Sequence, residues 1–144
     1  MKIRPATLQD LSTILTIENL SFPSPWTEPH FLYELKENPY AFLLVAEAEG
    51  FVIGYIDFWI TFHQAQINNL AVMPHLRQRG IGKTMLMDAV ERMKKAGCQS
   101  ITLEVRVSNT IAQKLYGTYG FKKLIKKSHY YADGEDAWLM ELRI

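Results

Sequence analysis

Hydrophobic residues in this chain recur with two periods, and segments of each period alternate along the sequence. Segments with a period near 3.6 residues predict helices at about residues 8–20, 28–37, 80–96 and 110–119. Segments rich in aromatic and β-branched residues predict strands at about residues 2–4, 42–47, 51–62, 66–73, 101–107, 121–131 and 137–143. The order β-α-α-β-β-β-α-β-α-β-β indicates an α/β fold, a mixed sheet flanked by helices.

Turn and cap residues stand at the expected ends of these segments. Thr7 and Asp10 can form a capping pair before the first helix, and Thr27 can cap the second. Glu49-Gly50 separates two strand-like segments and predicts a hairpin. Either Ser108 or Asn109 can cap the last helix, which stops before a glycine.

Composition favours a compact globular chain. Its 144 residues are 48% hydrophobic, which predicts a single domain over residues 1–144. The 16 basic and 15 acidic residues are interspersed and leave a net charge of +1, so we expect no direct binding to nucleic acid or membrane. The single Cys98 excludes an internal disulfide, and no apolar run has the length and flanks of a signal or spanning segment. These features predict a cytoplasmic protein.

The junction between the strand ending at Val72 and the following helix has the chemistry of a phosphate-binding loop. Arg77, Gly80, Gly82 and Lys83 combine positive charge with small residues at a helix N-terminus, where backbone N–H groups have no intrahelical partner. A nucleotide-triphosphate loop ending in Gly-Lys-Thr needs glycine at position 77, and a dinucleotide fingerprint needs glycine at position 85. Arginine and methionine occupy those positions, which excludes both motifs. An ordinary strand-to-helix loop remains an alternative.

Arg77-x-x-Gly80-x-Gly82 resembles the acetyl-coenzyme A motif of the GCN5-related N-acetyltransferases (GNAT). The resemblance extends over essentially the whole chain, and four further segments resemble the RimI-type branch, which acetylates the N-terminal alanine of a small-subunit ribosomal protein. These segments are Phe22-Pro23-x-Pro25-Trp26, Asn69-Leu70-Ala71-Val72, Leu103-Glu104-Val105-Arg106 and Tyr130-Tyr131-x-x-Gly134-Glu135-Asp136-Ala137.

The resemblance implies a GNAT fold with about seven strands in one mostly antiparallel sheet and about four helices. It also implies a splayed parallel strand pair that binds acetyl-coenzyme A as cosubstrate. The residues it assigns to the cofactor are Leu70, Ala71 and Val72 by their backbone, Arg77, Gln78, Arg79, Gly80, Ile81, Gly82, Lys83 and Thr84 around the pyrophosphate, and Asn109 near the pantetheine. By spacing alone, Asn109 could equally be a plain helix cap.

Two residues are candidates for proton transfer. Glu104 shares a strand face with Thr102 and Arg106, so spacing alone also allows a solvated Glu104–Arg106 surface pair. Tyr116 lies on the apolar stripe of its helix, so packing alone would explain it. The resemblance instead implies that Glu104 is the proton acceptor, directly or through a water, and that Tyr116 is the general acid.

The resemblance places Pro25, Trp26, Tyr130 and Tyr131 at the entrance for a peptide. Cys98 lacks a neighbouring group that would activate it, which favours direct attack in a ternary complex over an acyl-cysteine. The four histidines lack ligand spacing, so we expect no metal. The predicted partner is a protein N-terminus, and the resemblance implies that it belongs to a ribosomal protein. A small-amine or lysine acetyltransferase and a non-catalytic acyl-coenzyme A-binding module remain alternatives.

Overall fold

The computed structural model describes residues 1–144 and contains one seven-stranded sheet, four α-helices and two short 3-10 turns. The strands are β1 Lys2–Pro5, β2 Ala41–Ala48, β3 Phe51–Thr61, β4 Gln64–Val72, β5 Ser100–Arg106, β6 Lys122–Lys127 and β7 Ala137–Arg143. The α-helices are α1 Leu11–Ser21, α2 Glu28–Lys36, α3 Ile81–Lys95 and α4 Thr110–Tyr119. The sheet order is β1-β2-β3-β4-β5-β7-β6, and only the β4–β5 pair is parallel. None of the helices is long and apolar enough to cross a membrane.

The predicted capping pair is confirmed, but the first helix begins later than expected. The Asp10 carboxylate accepts the Thr7 N–H at 2.7 Å and the Thr7 hydroxyl at 3.2 Å. The Arg4 guanidinium donates to the same carboxylate at 2.8 Å. This network holds residues 8–10 in a 3-10 turn, so the α-helical bonds start only at Leu11.

Two hydrophobic layers cover opposite faces of the sheet. Helices α1 and α2 pack Ile14, Ile17 and Phe31 against one face of β2 to β4. Helix α3 packs the apolar stripe predicted for it, which includes Met85 and Val90, against the other face. Each strand therefore buries both of its sides where the two layers overlap.

The predicted strand over residues 121–131 was too long at its C-terminal end. Strand β6 ends at Lys127, and Tyr130 and Tyr131 lie in the connection to β7. His129 adopts a left-handed conformation with φ 52°, which cannot continue a strand ladder. The Asp136 carboxylate accepts the His129 N–H at 2.8 Å and stabilises this reversal. Both tyrosines therefore lie outside the strand ladder.

The parallel pair separates after only four residue pairs. β4 and β5 pair from Gln64 with Ser100 to Ile67 with Leu103. At the next position, a bulge at Asn68 shifts the register of β4 against β3. Bulges bend a strand and re-aim its side chains. Beyond Ile67, β4 continues with β3 and β5 continues with β7, which opens a gap between the two strands.

Asp57 on β3 is a fully buried carboxyl whose Oδ1 has no hydrogen-bond partner. Its Oδ2 accepts from the Asn68 amide at 3.1 Å. Burial, reinforced by the neighbouring Glu34, raises the pKa of Asp57 to about 9. The residue therefore carries a proton in the folded protein at neutral pH.

An Asp57→Asn variant should be more stable than the wild type in mildly alkaline solution. The folded-state pKa of Asp57 lies above its unfolded value, so its stabilising contribution is complete below pH 4 and is lost as the pH rises towards 9. Asparagine keeps the neutral shape without titrating, and we expect a gain of several kcal/mol at pH 9 that vanishes towards pH 4. Urea unfolding across this pH range checks the prediction. A constant difference between the two proteins would contradict it.

Candidate active site

The β4–α3 connection forms a tight backbone turn at the start of α3. Gly80 is the N-cap of α3 and has a φ of 82°, a conformation that favours glycine. Gln78 is also left-handed, with a φ of 63°. A Cβ on Gly82 would lie 3.7 Å from Leu115 and 3.8 Å from Val72, so a methyl group fits there but a larger side chain must project outwards. The first N–H groups of α3 face this connection without intrahelical acceptors.

Arg77 anchors this connection to two neighbouring elements. Its Nε donates to the Val72 carbonyl at 3.0 Å, and its terminal nitrogen donates to the Ser21 hydroxyl at 2.8 Å. The guanidinium therefore holds the turn against the end of β4 and the end of α1. Arg77 also lines the adjacent groove, although two of its N–H donors already form these hydrogen bonds.

A groove of about 510 Å³ runs from this turn to the gap between β4 and β5. We call it the loop groove. Of the residues assigned to the cofactor from sequence, those lining it are Leu70, Ala71, Val72, Arg77, Gln78, Gly80, Ile81, Gly82, Lys83 and Asn109. Free helix N–H groups and the positive end of the α3 dipole make this groove suited to an elongated ligand with phosphate groups.

Two of the predicted cofactor residues lie elsewhere. Arg79 lines a separate cavity between α1, the β2–β3 turn and the 3-10 turn before Arg77, on the other side of the connection. The Thr84 hydroxyl donates to the Gly80 carbonyl at 2.9 Å, an internal helix bond, and does not border the loop groove. Most residues of the predicted segment thus line the loop groove, whereas the side chains of Arg79, in the turn before α3, and Thr84, in the first turn of α3, do not.

A second cavity of about 320 Å³ adjoins the loop groove at the β4–β5 gap. We call it the polar cavity. The residues that border both are Phe22, Leu70, Arg106, Asn109 and Ala112. Glu104 and Tyr116 both line the polar cavity. Glu104 comes from the sheet and Tyr116 from α4, so the strand gap brings together groups from separate layers.

Glu104 forms an ion pair that the sequence did not indicate. Lys127 Nζ on β6 contacts its Oε1 at 3.0 Å, and the Glu104 side chain is only 16% exposed. Arg106 instead binds Asp133 at 2.8 Å and Glu135 at 2.9 Å. The alternative of a solvated Glu104–Arg106 surface pair is therefore wrong, because both residues have other partners.

Tyr116 is almost fully buried at the inner end of the polar cavity. Its ring packs edge-on against Phe121, with the ring centroids 5.6 Å apart. Burial, followed by the nearby Tyr131, raises the pKa of Tyr116 well above that of a free phenol. The hydroxyl is therefore protonated throughout the neutral range. Tyr119 is half-buried and also packs against Phe121, with the ring centroids 6.4 Å apart.

Arg106 fixes the connection that carries both candidate peptide-binding tyrosines. Its guanidinium lies 4.0 Å from the centroid of the Tyr131 ring and holds Asp133 and Glu135 from the same connection. Burial raises the pKa of Tyr131 to about 12, so this side chain is also neutral. Tyr130 packs edge-on against Tyr131, and both line the polar cavity. The single charge of Arg106 balances only one of these two carboxylates.

Trp26 and Glu18 form the opposite wall of the polar cavity, but Pro25 does not line it. The Trp26 N–H donates to Glu18 at 2.9 Å, and the Asn69 amide donates to Glu18 at 2.8 Å. The Tyr55 hydroxyl also donates to this carboxylate. Sequence reasoning missed Glu18. The only available signal was an acidic residue directly after the buried stripe of α1, and such residues are usually solvated.

The other candidate groups have simple structural roles. Asn109 caps α4, since its side-chain oxygen accepts the Ala112 N–H at 3.1 Å, and it also borders the loop groove. Cys98 is buried, and burial raises the pKa of its thiol. This agrees with an inert rather than nucleophilic cysteine. No group of three or more His, Cys, Asp or Glu side chains is arranged to hold a metal ion.

Comparison with known proteins identifies the family to which this arrangement belongs. The sequence model of the acetyltransferase (GNAT) family matches residues 11–121. The chain is a GNAT acetyltransferase. It is 43% identical over 143 residues to a Bacillus subtilis protein with the provisional name ribosomal protein bS18-alanine N-acetyltransferase, covering 99% of this chain and 95% of that protein. It is 38% identical over 152 residues to an N-alpha-acetyltransferase of Sulfurisphaera tokodaii, covering 96% and 90%.

The crystal structure of the ribosomal-protein-S18-alanine N-acetyltransferase from Escherichia coli has the same fold as this GNAT enzyme. The two superimpose with a TM-score of 0.90 at 28% sequence identity, covering 99% of this chain and 93% of the other. The mostly antiparallel seven-stranded sheet with one parallel pair and four α-helices confirms the predicted fold class. GNAT enzymes use acetyl-coenzyme A as acetyl donor, so the family confirms the expected cosubstrate.

Proposed function

We propose that this GNAT enzyme acetylates the N-terminal α-amine of a protein, and that its substrate is the N-terminal alanine of a small-subunit ribosomal protein. One observation carries the proposal: the loop groove opens through the β4–β5 gap into a polar cavity that holds Glu104 and Tyr116. The Bacillus subtilis and Escherichia coli relatives named for ribosomal alanine acetylation support the choice of substrate. A ribosomal substrate would place the enzyme in the cytoplasm.

The residues of the loop groove fit acetyl-coenzyme A. The N–H groups around Gly80 and Gly82, with the charge of Lys83, would hold its pyrophosphate. The backbone of Leu70 to Val72, freed from β5, would bond the pantetheine arm and polarise the acetyl carbonyl. When bound, this cosubstrate supplies an activated thioester carbonyl at the mouth of the polar cavity.

Two side chains of the polar cavity would move the protons. Glu104 accepts, directly or through a water, the proton that the amine nitrogen loses as it is acetylated. An α-amine has a pKa of about 8, so a carboxylate base is sufficient. Tyr116 remains protonated at neutral pH and donates its hydroxyl proton to the departing sulfur. Trp26, Tyr130 and Tyr131 flank the path of the peptide.

A Tyr116→Phe variant should slow the chemical step without weakening cosubstrate binding. Loss of a positioned general acid typically costs about a hundredfold in turnover. Steady-state kinetics should show a lower kcat with an unchanged KM for acetyl-coenzyme A. Tyr119→Phe is the matched control on the same helix, because its ring packs against Phe121 outside the polar cavity. Equal losses in both variants would assign Tyr116 a packing role only.

The proposed function can be tested with peptides that differ only in which amine is free. One peptide begins with alanine and lacks lysine, and the second has a blocked N-terminus and one internal lysine. We expect thiol release from acetyl-coenzyme A with the first peptide and little or none with the second. Equal rates would indicate a lysine or small-amine acetyltransferase. No thiol release with any peptide would favour a non-catalytic acyl-coenzyme A-binding module.

A further inference from the structure

Lys127 places an amino group beside the candidate base Glu104. Its Nζ contacts Oε1 of Glu104 at 3.0 Å and lies 5.3 Å from the centroid of the Tyr130 ring. A carboxylate and an aromatic face are the two groups that best hold an organic cation. An incoming α-ammonium would need the same two partners. Lys127 therefore already contacts two residues that line the polar cavity, although its own side chain does not line it.

The β6–β7 register determines which lysine reaches this position. A bulge between Lys123 and Ile125 sets Lys127 opposite Ala137, and Lys126 opposite Trp138. Lys126 lies over the Trp138 ring at 5.3 Å, whereas Lys127 points to Glu104. Two adjacent lysines thus have different surroundings, and only one of them can affect the polar cavity.

The other charged groups of the polar cavity cannot replace this contribution. Glu18 accepts bonds from Trp26, Asn69 and Tyr55, and Arg106 binds Asp133 and Glu135. On β7, Glu141 lies opposite Thr102 rather than Glu104 and pairs with Arg143. The tyrosines of the cavity, Tyr116, Tyr130 and Tyr131, have raised pKa values and are neutral. Lys127 is the cation that balances the charge of Glu104.

We propose that Lys127 is a specificity-determining residue that prevents Glu104 from trapping the acceptor as an ammonium ion, so that the polar cavity selects the neutral amine. The inference rests on the proposed acetylation of an N-terminus. A carboxylate without a cationic partner would stabilise the ammonium form of the acceptor by ion pairing. The nitrogen lone pair would then stay bonded to a proton and could not attack. Because Lys127 neutralises Oε1, the other oxygen of Glu104 can bond a neutral amine or a bridging water without a strong preference for the cation.

Selection of the neutral form also separates α-amines from lysine side chains. With pKa values of about 8 and about 10.4, the neutral fractions of the two amines at pH 7 differ by about 230-fold. A cavity that favours the neutral form carries this difference over into binding. Lys127 would thus favour a protein N-terminus over an internal lysine without any contact to the rest of the peptide.

Calorimetry on the coenzyme A-loaded enzyme tests this inference without turnover. The probes are an alanine-initiated peptide without lysine and its des-amino form, in which a propionyl group replaces alanine. In the wild type, affinity for the amine peptide should increase from pH 6.5 to pH 9 as the amine loses its proton, while affinity for the des-amino peptide stays constant. In Lys127→Met, the amine peptide should bind about five- to tenfold more tightly at pH 6.5, which flattens the pH dependence.

Two variants serve as controls. Lys127→Arg keeps the charge and should retain the wild-type pH dependence, and Lys126→Met removes a neighbouring charge that lies over Trp138 and should change nothing. Unchanged affinity for the des-amino peptide shows that Lys127→Met keeps its cavity intact. An amine-peptide pH dependence in Lys127→Met equal to that of the wild type would overturn the inference. A wild type that binds these peptides but acetylates neither amine type would instead contradict the proposed function.

Discussion

A Glu104→Gln variant should lose about 100- to 1,000-fold in kcat/KM for an alanine-initiated peptide, the usual effect of removing a positioned base. Glutamine keeps the shape of the side chain and can still accept a hydrogen bond from Lys127, but it cannot take up a proton. Residual activity should rise steeply with pH, because solvent then supplies the neutral amine. Stopped-flow or steady-state assays from pH 6.5 to pH 9.5 measure both effects.

The control for this substitution is Glu141→Gln on the adjacent strand β7. Glu141 lies outside the polar cavity and pairs with the exposed Arg143, so its loss should leave kcat/KM unchanged. The dissociation constant for coenzyme A should be the same in both variants and in the wild type. If Glu104→Gln instead loses coenzyme A affinity and keeps its turnover, Glu104 has a structural role and another group is the base.

A Gly82→Val variant should lose about a hundredfold in affinity for acetyl-coenzyme A, or about 2.8 kcal/mol. A Cβ at position 82 has ordinary contacts with Leu115 and Val72, so the added methyl groups of valine must extend into the loop groove. There they would keep a pyrophosphate away from the N–H groups of α3. Equilibrium binding of coenzyme A measures the loss directly.

Gly82→Ala separates this steric effect from an effect on folding. Its single methyl group fits between Leu115 and Val72, and alanine favours the helix by about 1 kcal/mol over glycine. We therefore expect Gly82→Ala to be at least as stable as the wild type and to keep most of its affinity. A Gly82→Val protein that is folded and binds coenzyme A normally would show that the pyrophosphate does not lie at this turn.

Local patterns in the sequence were sufficient to predict the order of helices and strands and the segment that lines the loop groove. Strict alternation over residues 101–107 set the face of Glu104, and helical spacing set the stripe that carries Tyr116. Strand bounds were wrong where a backbone reversal without glycine ended the strand, as at His129. Left-handed histidine has no reliable sequence signal, because a tertiary contact with Asp136 stabilises it.

The partners of the site residues could not be predicted, because they depend on register and on contacts between distant segments. One extra residue in β6 decides that Lys127 rather than Lys126 faces Glu104. The burial of Glu18 depends on Tyr55 and Asn69, which are 37 and 51 residues away along the chain. The resemblance to a known family supplied the roles of Glu104 and Tyr116, whereas these partners became visible only in the folded chain.

A crystal structure of the enzyme with coenzyme A and an alanine-initiated peptide tests the central claim most directly. We expect the pyrophosphate on the N–H groups of residues 78–83, the thiol at the β4–β5 gap, and the peptide amine within hydrogen-bond distance of Glu104 or of a water bound to it. Coenzyme A bound outside the loop groove, or a peptide amine remote from Glu104, would contradict the proposed site.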